Sequence, residues 1–356
     1  MTGETAGAGS PGAGRPLTVA VVTRPRDALS LFHAREAIVR ELAPLGVSPV
    51  PVPEGRCPPS GTELLWDPGL AGTRGPRRVR GLPAGLPIVV TAHGAAAFVL
   101  PWRHVWPSRP RALWGQLRKR RALVDWRRLA PRVGGVVGVS DFGVREVGRV
   151  FGVPAARLHR IYPGVSATFR PDGARAPAPR PYFLAVAQYA PRKNLEAVLA
   201  AYARLSRPVR PDLVLVVPGW PGGPVGIEGA RLIPEALAHH ELARWYRGAR
   251  ALVFPSLHET FGHPILEAMA CGCPVITSDV TACPEVAADA ALVVDPRSVS
   301  AIAGAMERVR EETVRESLRE RGLARARQFT WRRTAERYVE LFRALVPGPA
   351  RRGVAG

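Results

Sequence analysis

Short apolar, β-branched runs punctuate this chain and alternate with stretches of helical spacing. Leu17 to Val22, Val47 to Val52, Pro87 to Thr91 and Val133 to Ser140 read as buried strands in the first half. Tyr182 to Ala187, Leu213 to Val217, Leu252 to Phe254 and Pro274 to Thr277 do so in the second. Helices are expected over Leu29 to Leu45, Asp141 to Val150, Leu195 to Leu205 and Glu241 to Ala249. Such alternation predicts an α/β architecture, since each crossover helix returns the chain for another parallel strand. The run RPDGARAPAPRP, Arg170 to Pro181, is proline-rich and aperiodic, and reads as a linker. The expected layout is a leader over 1–16, an α/β unit over 17–170, a linker over 171–181 and a second unit over 182–330. A last helix over 331–346 and a tail over 347–356 complete it.

Composition narrows the partners. The chain has 356 residues and a formal net charge of +21. Its basic residues are nearly all Arg; only Lys119 and Lys193 are lysines. That charge favours anions: nucleotides, acidic lipids or nucleic acid. No run is long and apolar enough to span a bilayer, and the Gly- and Ala-rich leader lacks the apolar centre of a signal peptide. The four cysteines (Cys57, Cys271, Cys273, Cys283) are too few and too unevenly spaced for a disulfide framework. A reducing cytoplasm is the simplest setting.

The segment from Pro255 to Pro296 carries the chemistry. Leu252 to Phe254 is a strand, and Pro264 suits a first helical turn because it has no N–H to leave unpaired. Ile265 to Ala270 then reads as helix, with Gly272 as its stop. The amides of His263, Ile265 and Leu266 are expected to be free there and, with the helix dipole, to favour an anion. Glu259 before the helix and Glu267 one turn into it accept hydrogen bonds from diols. Hydroxyls at both ends and negative charge between describe a nucleotide sugar. The competing reading is a pair of ordinary helix-start acids.

The wider pattern favours the first reading. Pro255-Ser256, Glu259, Phe261-Gly262, Pro264, Glu267-Ala268-Met269-Ala270, Gly272, Pro274-Val275-Ile276, Ser278, Pro284-Glu285-Val286 and Val294-Asp295-Pro296 keep fixed spacing. Together they resemble the signature of family 4 glycosyltransferases, retaining enzymes of the GT-B fold. Thr260 stands where Gly is common, and Asp279 where Asn is common. The resemblance implies two Rossmann-like doubly wound domains facing a cleft, the first on the acceptor side and the second binding a nucleotide sugar. It also implies a C-terminal helix crossing back onto the first domain.

Ala190 to Leu195 sits at a strand end and helix start, where Arg192 and Lys193 suit a diphosphate; the resemblance implies that role for Lys193. Gly262 and His263 would add amides. It further implies that Glu267 holds the ribose, that Glu259 and Phe261 meet the sugar, and that His93, at another strand end, faces the donor across the cleft. Glu259 and His93 are thus the candidate catalytic residues. The resemblance implies retention and no metal, with no cofactor beyond the donor substrate; the sequence agrees on the metal, since no Asp-x-Asp triplet occurs. Ser140 reads as a helix N-cap or a cleft-lining residue. From Trp102 to Arg132, Trp residues lie among many cations, which suits an anionic membrane surface or single strands. Glycosylation of lipid-linked acceptors by related enzymes favours the membrane over nucleic acid. The expected function is sugar transfer from a nucleotide-sugar donor to a hydroxyl on a glycan, a lipid-linked chain or a small molecule. A nucleotide-sugar epimerase of the same architecture is the alternative.

Overall fold

The computed structural model describes residues 15–24, 29–70, 82–101, 105, 109–206, 210–223 and 225–346. The expected leader up to residue 14, the tail and Trp102 and Trp106 lie outside them. Two six-stranded sheets dominate, and every strand pairing within them is parallel.

The first sheet contains β1 (Leu17–Thr23), β2 (Val47–Pro53), β3 (Leu64–Leu70), β4 (Ile88–Ala92), β5 (Val133–Gly138) and β6 (Leu158–Arg160), in the order β2-β1-β3-β4-β5-β6. Its helices are α1 (Leu29–Leu42), α2 (Ala96–Val99), α3 (Arg109–Leu129) and α4 (Asp141–Phe151). β2 carries Pro49, Pro51 and Pro53 and lies at the sheet edge. Alternate residues send their N–H to the same side of a strand, so all three missing donors fall on the unpaired side.

The second sheet contains β7 (Tyr182–Val186), β8 (Asp212–Val216), β9 (Ala230–Ile233), β10 (Ala251–Phe254), β11 (Val275–Ser278) and β12 (Leu292–Val294), in the order β12-β11-β10-β7-β8-β9. Around it lie α5 (Leu195–Arg204), α6 (His239–Gly248), α7 (His263–Ala270), α8 (Cys283–Ala287), α9 (Val299–Arg308) and α10 (Glu312–Ala326). The order reverses between β7 and β10, which makes that pair the topological switch point. Ligands of open parallel sheets bind outside the carboxyl ends of such strands.

The last helix, α11 (Trp331–Leu345), returns to the first sheet. Tyr338, Val339, Leu341 and Phe342 are buried in one cluster with Leu64, Trp66, Val89 and Val137. Thr91 Oγ1 anchors it, accepting from Trp66 Nε1 at 3.0 Å and lying 2.7 Å from the Tyr338 hydroxyl. Where the chain crosses, Gly164 faces Trp331 so closely that a Cβ would come within 2.3 Å of its main-chain N. This position has room only for hydrogen. The GT-B arrangement and the returning helix are therefore present as expected.

Four strands were not anticipated from the pattern: β3, β6, β9 and β12. β3 contains Asp67-Pro68-Gly69, which reads as a turn, yet its pairing with β4 continues through a register shift between Asp67 and Leu70. Asp67 is neutralised there by Arg24, with contacts of 2.7 and 2.6 Å between the two forks.

Candidate active site

The two loops at the switch point carry the expected charges. After β7 a single 3-10 turn, Pro191–Lys193, presents Arg192 and Lys193. Asn194 follows in the left-handed region (φ 61°), held by bonds from its side-chain amide to Pro255 O (3.0 Å) and Pro296 O (2.7 Å). After β10 the chain runs through Glu259 to α7.

Lys193 Nζ and Glu259 Oε1 are 2.5 Å apart, and Arg192 Nη1 stands 3.6 Å from the same oxygen. The ammonium also sits 5.0 Å from the Phe254 ring centroid. Burial pushes the Lys193 ammonium down from its usual range, with Glu259 opposing the shift. Burial pushes the Glu259 carboxyl up, but the two cations outweigh it and hold the group below the usual carboxylate range. The sequence treats these residues as separate ligand contacts; the structure makes them one ion pair. Neither side chain is more than 12 % exposed. An incoming diphosphate would therefore compete with Glu259 for the ammonium.

Gly262 opens α7 with φ 99°, a conformation that side chains resist. The main-chain N–H groups at this end have no earlier turn to bond. One expectation fails: the Ile265 amide is not free but donates to Gly262 O at 3.0 Å. Tightening of the first turn takes it out of the anion site. His263 is enclosed beside His93, and burial with that neighbour lowers its imidazole to about 4. It is thus neutral at pH 7 and can offer one N–H and one lone pair.

Glu267 lies one turn along α7, and Tyr246 of α6 donates to its Oε2 at 3.0 Å. Burial raises its carboxyl to about 7, the tyrosine opposing that shift. Tyr246 is a site residue that sequence reasoning missed; no local signal marks a partner 21 residues away. Phe261 is also placed differently from expectation. Its side chain is 3 % exposed, within the core beside Tyr162 and Phe329. Its ring serves packing, leaving only its main chain to face a ligand.

The opposite wall comes from the first sheet. His93 follows β4, its Nε2 lying 2.7 Å from Pro68 O. The Thr260 hydroxyl donates to His93 O (2.6 Å), and Ser140 Oγ donates to Thr260 O (2.6 Å) while capping α4 by accepting from Gly143 N (2.8 Å). Both readings of Ser140, cap and cleft residue, thus hold together. Nearby, His258 Nε2 meets Glu146 Oε1 of α4 at 2.7 Å, both side chains being buried. Glu146 Oε2 accepts from Ala95 N at 3.0 Å. Glu285 of α8 accepts from the Asp141 and Phe142 amides at 2.6 and 3.0 Å. These bonds close the cleft on the side of β4 and α4.

None of the four cysteines is in a disulfide, and Cys271, Cys273 and Cys283 are buried. Among the described residues no three His, Cys, Asp or Glu side chains gather as metal ligands. Among them, too, no helix is long and apolar enough to cross a membrane.

Comparison with known proteins agrees with this geometry. Residues 170–329 match the family model described as Glycosyl transferases group 1, and residues 64–169 match Glycosyltransferase Family 4. An O-antigen chain mannosyltransferase B of Escherichia coli is 35 % identical over 230 residues, covering 59 % of this chain and 60 % of its own length. A D-inositol 3-phosphate glycosyltransferase of a Nocardioides species is 29 % identical over 243 residues, covering 58 % and 53 %. The chain thus spans less than two thirds of the length of these relatives. Among solved structures, sucrose-phosphate synthase of Thermosynechococcus elongatus superposes with a TM-score of 0.67 at 18 % identity, covering 92 % of this chain and 98 % of its own. WaaG, a glycosyltransferase involved in lipopolysaccharide biosynthesis, gives 0.64 at 15 %, covering 91 % and 99 %. With both halves of the chain matched in order and the GT-B fold present, the chain belongs to the group 1, family 4 glycosyltransferases.

Proposed function

We propose that this chain transfers a hexosyl group from a nucleotide sugar to a glycan hydroxyl, with retention at the anomeric carbon and without a metal ion. The observation that carries the reading is the buried Lys193–Glu259 pair at the switch point, beside the Gly262 start of α7. In the reaction the bond from C1 to the diphosphate oxygen breaks and a bond from C1 to the acceptor oxygen forms. The acceptor proton leaves with the diphosphate. Lys193, Arg192 and the amides of Gly262 and His263 offset the charge that builds on the leaving group; one well-placed donor contributes about 3–4 kcal/mol in such sites. Freed of Lys193, Glu259 holds sugar hydroxyls and offsets positive charge near C1. Glu267 accepts from the ribose diol, and His93 faces the sugar from the first domain.

The O-antigen relative makes mannose the first sugar to test, and a growing surface polysaccharide the first acceptor. A membrane-borne acceptor is also in keeping with the outer face of α3. On α3, Leu113, Trp114 and Leu117 are 67, 69 and 54 % exposed among Arg118, Arg120 and Arg121, while Ala122, Trp126 and Leu129 face the core. Apolar and cationic groups on one outer face suit an anionic bilayer surface.

A panel of UDP-, GDP-, ADP- and dTDP-sugars tests the reading by thermal shift. Release of nucleotide is then followed with and without a mannan acceptor. Acceptor-dependent release supports transfer; isomerised donor without acceptor supports the epimerase instead.

A further inference from the structure

A cavity of about 680 Å³ lies at the other end of α7 from the donor site, between the linker, α6 and α10. α7 has eight residues, so its two ends are about 12 Å apart. The cavity wall includes six arginines: Arg175 and Arg180 from the linker, Arg247 and Arg250 at the end of α6 and start of β10, and Arg315 and Arg319 from α10.

Three of them have carboxylate partners. Arg180 pairs with Asp212 at 3.2 Å, Arg319 with Glu316 at 2.9 Å, and Arg315 with Glu312. Arg175, Arg247 and Arg250 form no ion pair among the described residues; Arg247 instead donates to the linker carbonyls of Ala174 (2.9 Å) and Arg170 (3.3 Å). Arg315 adds a second signal: its Nε is buried without a hydrogen-bond partner. Two glycines shape the wall. A Cβ on Gly272 would come within 3.2 Å of Arg319 Nε, and one on Gly173 within 3.4 Å of the Arg247 guanidinium. Both sit at positive φ, +70° and +121°.

Like charges collected in one concavity repel, and a multivalent anion relieves that repulsion. Guanidinium forks match phosphate oxygens in pairs. The volume falls in the range of small-molecule sites and exceeds what one phosphate fills. The carboxyl end of α7 opposes an anion here through its dipole, but three guanidiniums without an ion pair outnumber it. We propose that this cavity binds an oligophosphate, a ligand with two or more linked phosphates, at a site separate from the donor cleft. Because Arg175 belongs to the linker and Arg250 to the second sheet, such a ligand would tie the interdomain connection to the nucleotide-binding half.

The test is calorimetric titration of the full chain with tripolyphosphate at about 0.15 M salt, where long-range surface charge is screened. Wild type is expected to bind one tripolyphosphate outside the donor cleft, with at least tenfold loss in Arg175→Ala/Arg250→Ala. Lys193→Ala, which strips the donor cation, should keep the affinity of this second site while losing any binding in the donor cleft. Arg332→Ala/Arg337→Ala, distant on α11, controls for bulk charge and should bind as wild type. The idea is overturned by loss in Lys193→Ala with binding kept in the Arg175/Arg250 variant, which puts the anion in the donor cleft. Equal weakening in all three variants, or no binding below millimolar concentration, overturns it as well. Failure of the transferase assays would leave these outcomes unchanged.

Discussion

The hydroxyl of Thr260 donates to the main-chain carbonyl of His93 across 2.6 Å, joining the loop of the second sheet to the opposing wall of the first. A glycine here would have no such hydroxyl. The contact is also tight: a Cβ on Gly94, which has φ +145°, would stand 2.7 Å from Thr260 Cγ2. Gly94→Ala should therefore force the walls apart. We expect its kcat/KM to fall by at least tenfold, a cost of about 1.4 kcal/mol. Combining it with Thr260→Gly should recover part of the loss by removing the clash, though not the backbone strain. Steady-state rates of the two single variants and the double variant check this. A double variant no better than Gly94→Ala would show that the clash is not the cause.

Removing Lys193 should separate stability from activity. In Lys193→Ala, Glu259 stays enclosed with Arg192 at 3.6 Å as its remaining cation, and an under-satisfied buried group costs about 1–3 kcal/mol. The urea midpoint should fall accordingly, and kcat by roughly 10²–10³. Adding Glu259→Gln removes the stranded charge, so the midpoint should recover while turnover does not. Lys193→Arg should not rescue turnover, since a planar fork cannot replace a compact ammonium. Full activity in Lys193→Ala would dismiss the proposed diphosphate contact.

The sequence is most legible where chemistry is local. Strand-end loops, Pro264 at a helix start and the carboxylates before and within α7 all follow from neighbours within a few residues. β6, β9 and β12, of three, four and three residues, are too short to show a period. β3 is hidden because its Asp67 depends on Arg24, 43 positions earlier. Ile265 shows how a tightened helix turn removes a donor that counting supplies. The interdomain bonds are the least legible: His258 and Glu146 lie 112 residues apart, and Thr260 and His93 167 apart. Each has a satisfactory local reading until the fold brings its partner.

Glu267 should make both folding and donor binding depend on pH. Its carboxyl is raised to about 7 from an ordinary value of 4.5. Between those values the folded state holds a proton that the unfolded state has lost. Stability is therefore greatest below about pH 4.5 for this group and declines as pH rises toward 7. The full shift corresponds to about 3 kcal/mol as an upper bound. Glu267→Gln should flatten that decline in denaturant unfolding. Donor affinity should move the opposite way, strengthening as pH climbs through 7, because the ionised carboxylate accepts from both ribose hydroxyls. Tyr246→Phe removes the hydrogen bond that favours ionisation, so its affinity profile should shift to higher pH. An unchanged profile would remove Glu267 from the ribose contact.

The membrane reading of α3 makes a direct prediction. Vesicles containing about 30 % anionic lipid should sediment the protein, and neutral vesicles should not, since each surface cation contributes about 1 kcal/mol to such binding. Trp114→Ala/Leu117→Ala should weaken sedimentation while leaving rates on a water-soluble acceptor unchanged, as neither side chain packs in the core. Equal binding to neutral vesicles would point to apolar contact alone.

Glu285 offers the clearest test of interdomain positioning without touching the donor groups. Its carboxylate takes the first amides of α4, at Asp141 and Phe142, and the Tyr162 hydroxyl donates to it at 2.9 Å. The partial positive end of one domain's helix is thus capped by an acid from the other domain. Its own carbonyl is held by Arg325 at 2.8 Å, so the acid is fixed from behind. Glu285→Gln keeps the shape but loses the charge and replaces one accepting oxygen with a donor facing a main-chain N–H. We expect both Glu285→Ala and Glu285→Gln to raise the acceptor KM several-fold and lower kcat, with donor Kd nearly unchanged. Loss of a charge-assisted cap costs about 1–2 kcal/mol, so small-angle scattering should also show a larger radius of gyration. A donor Kd that weakens in step with kcat would mean that Glu285 supports the nucleotide half alone, not the closed cleft.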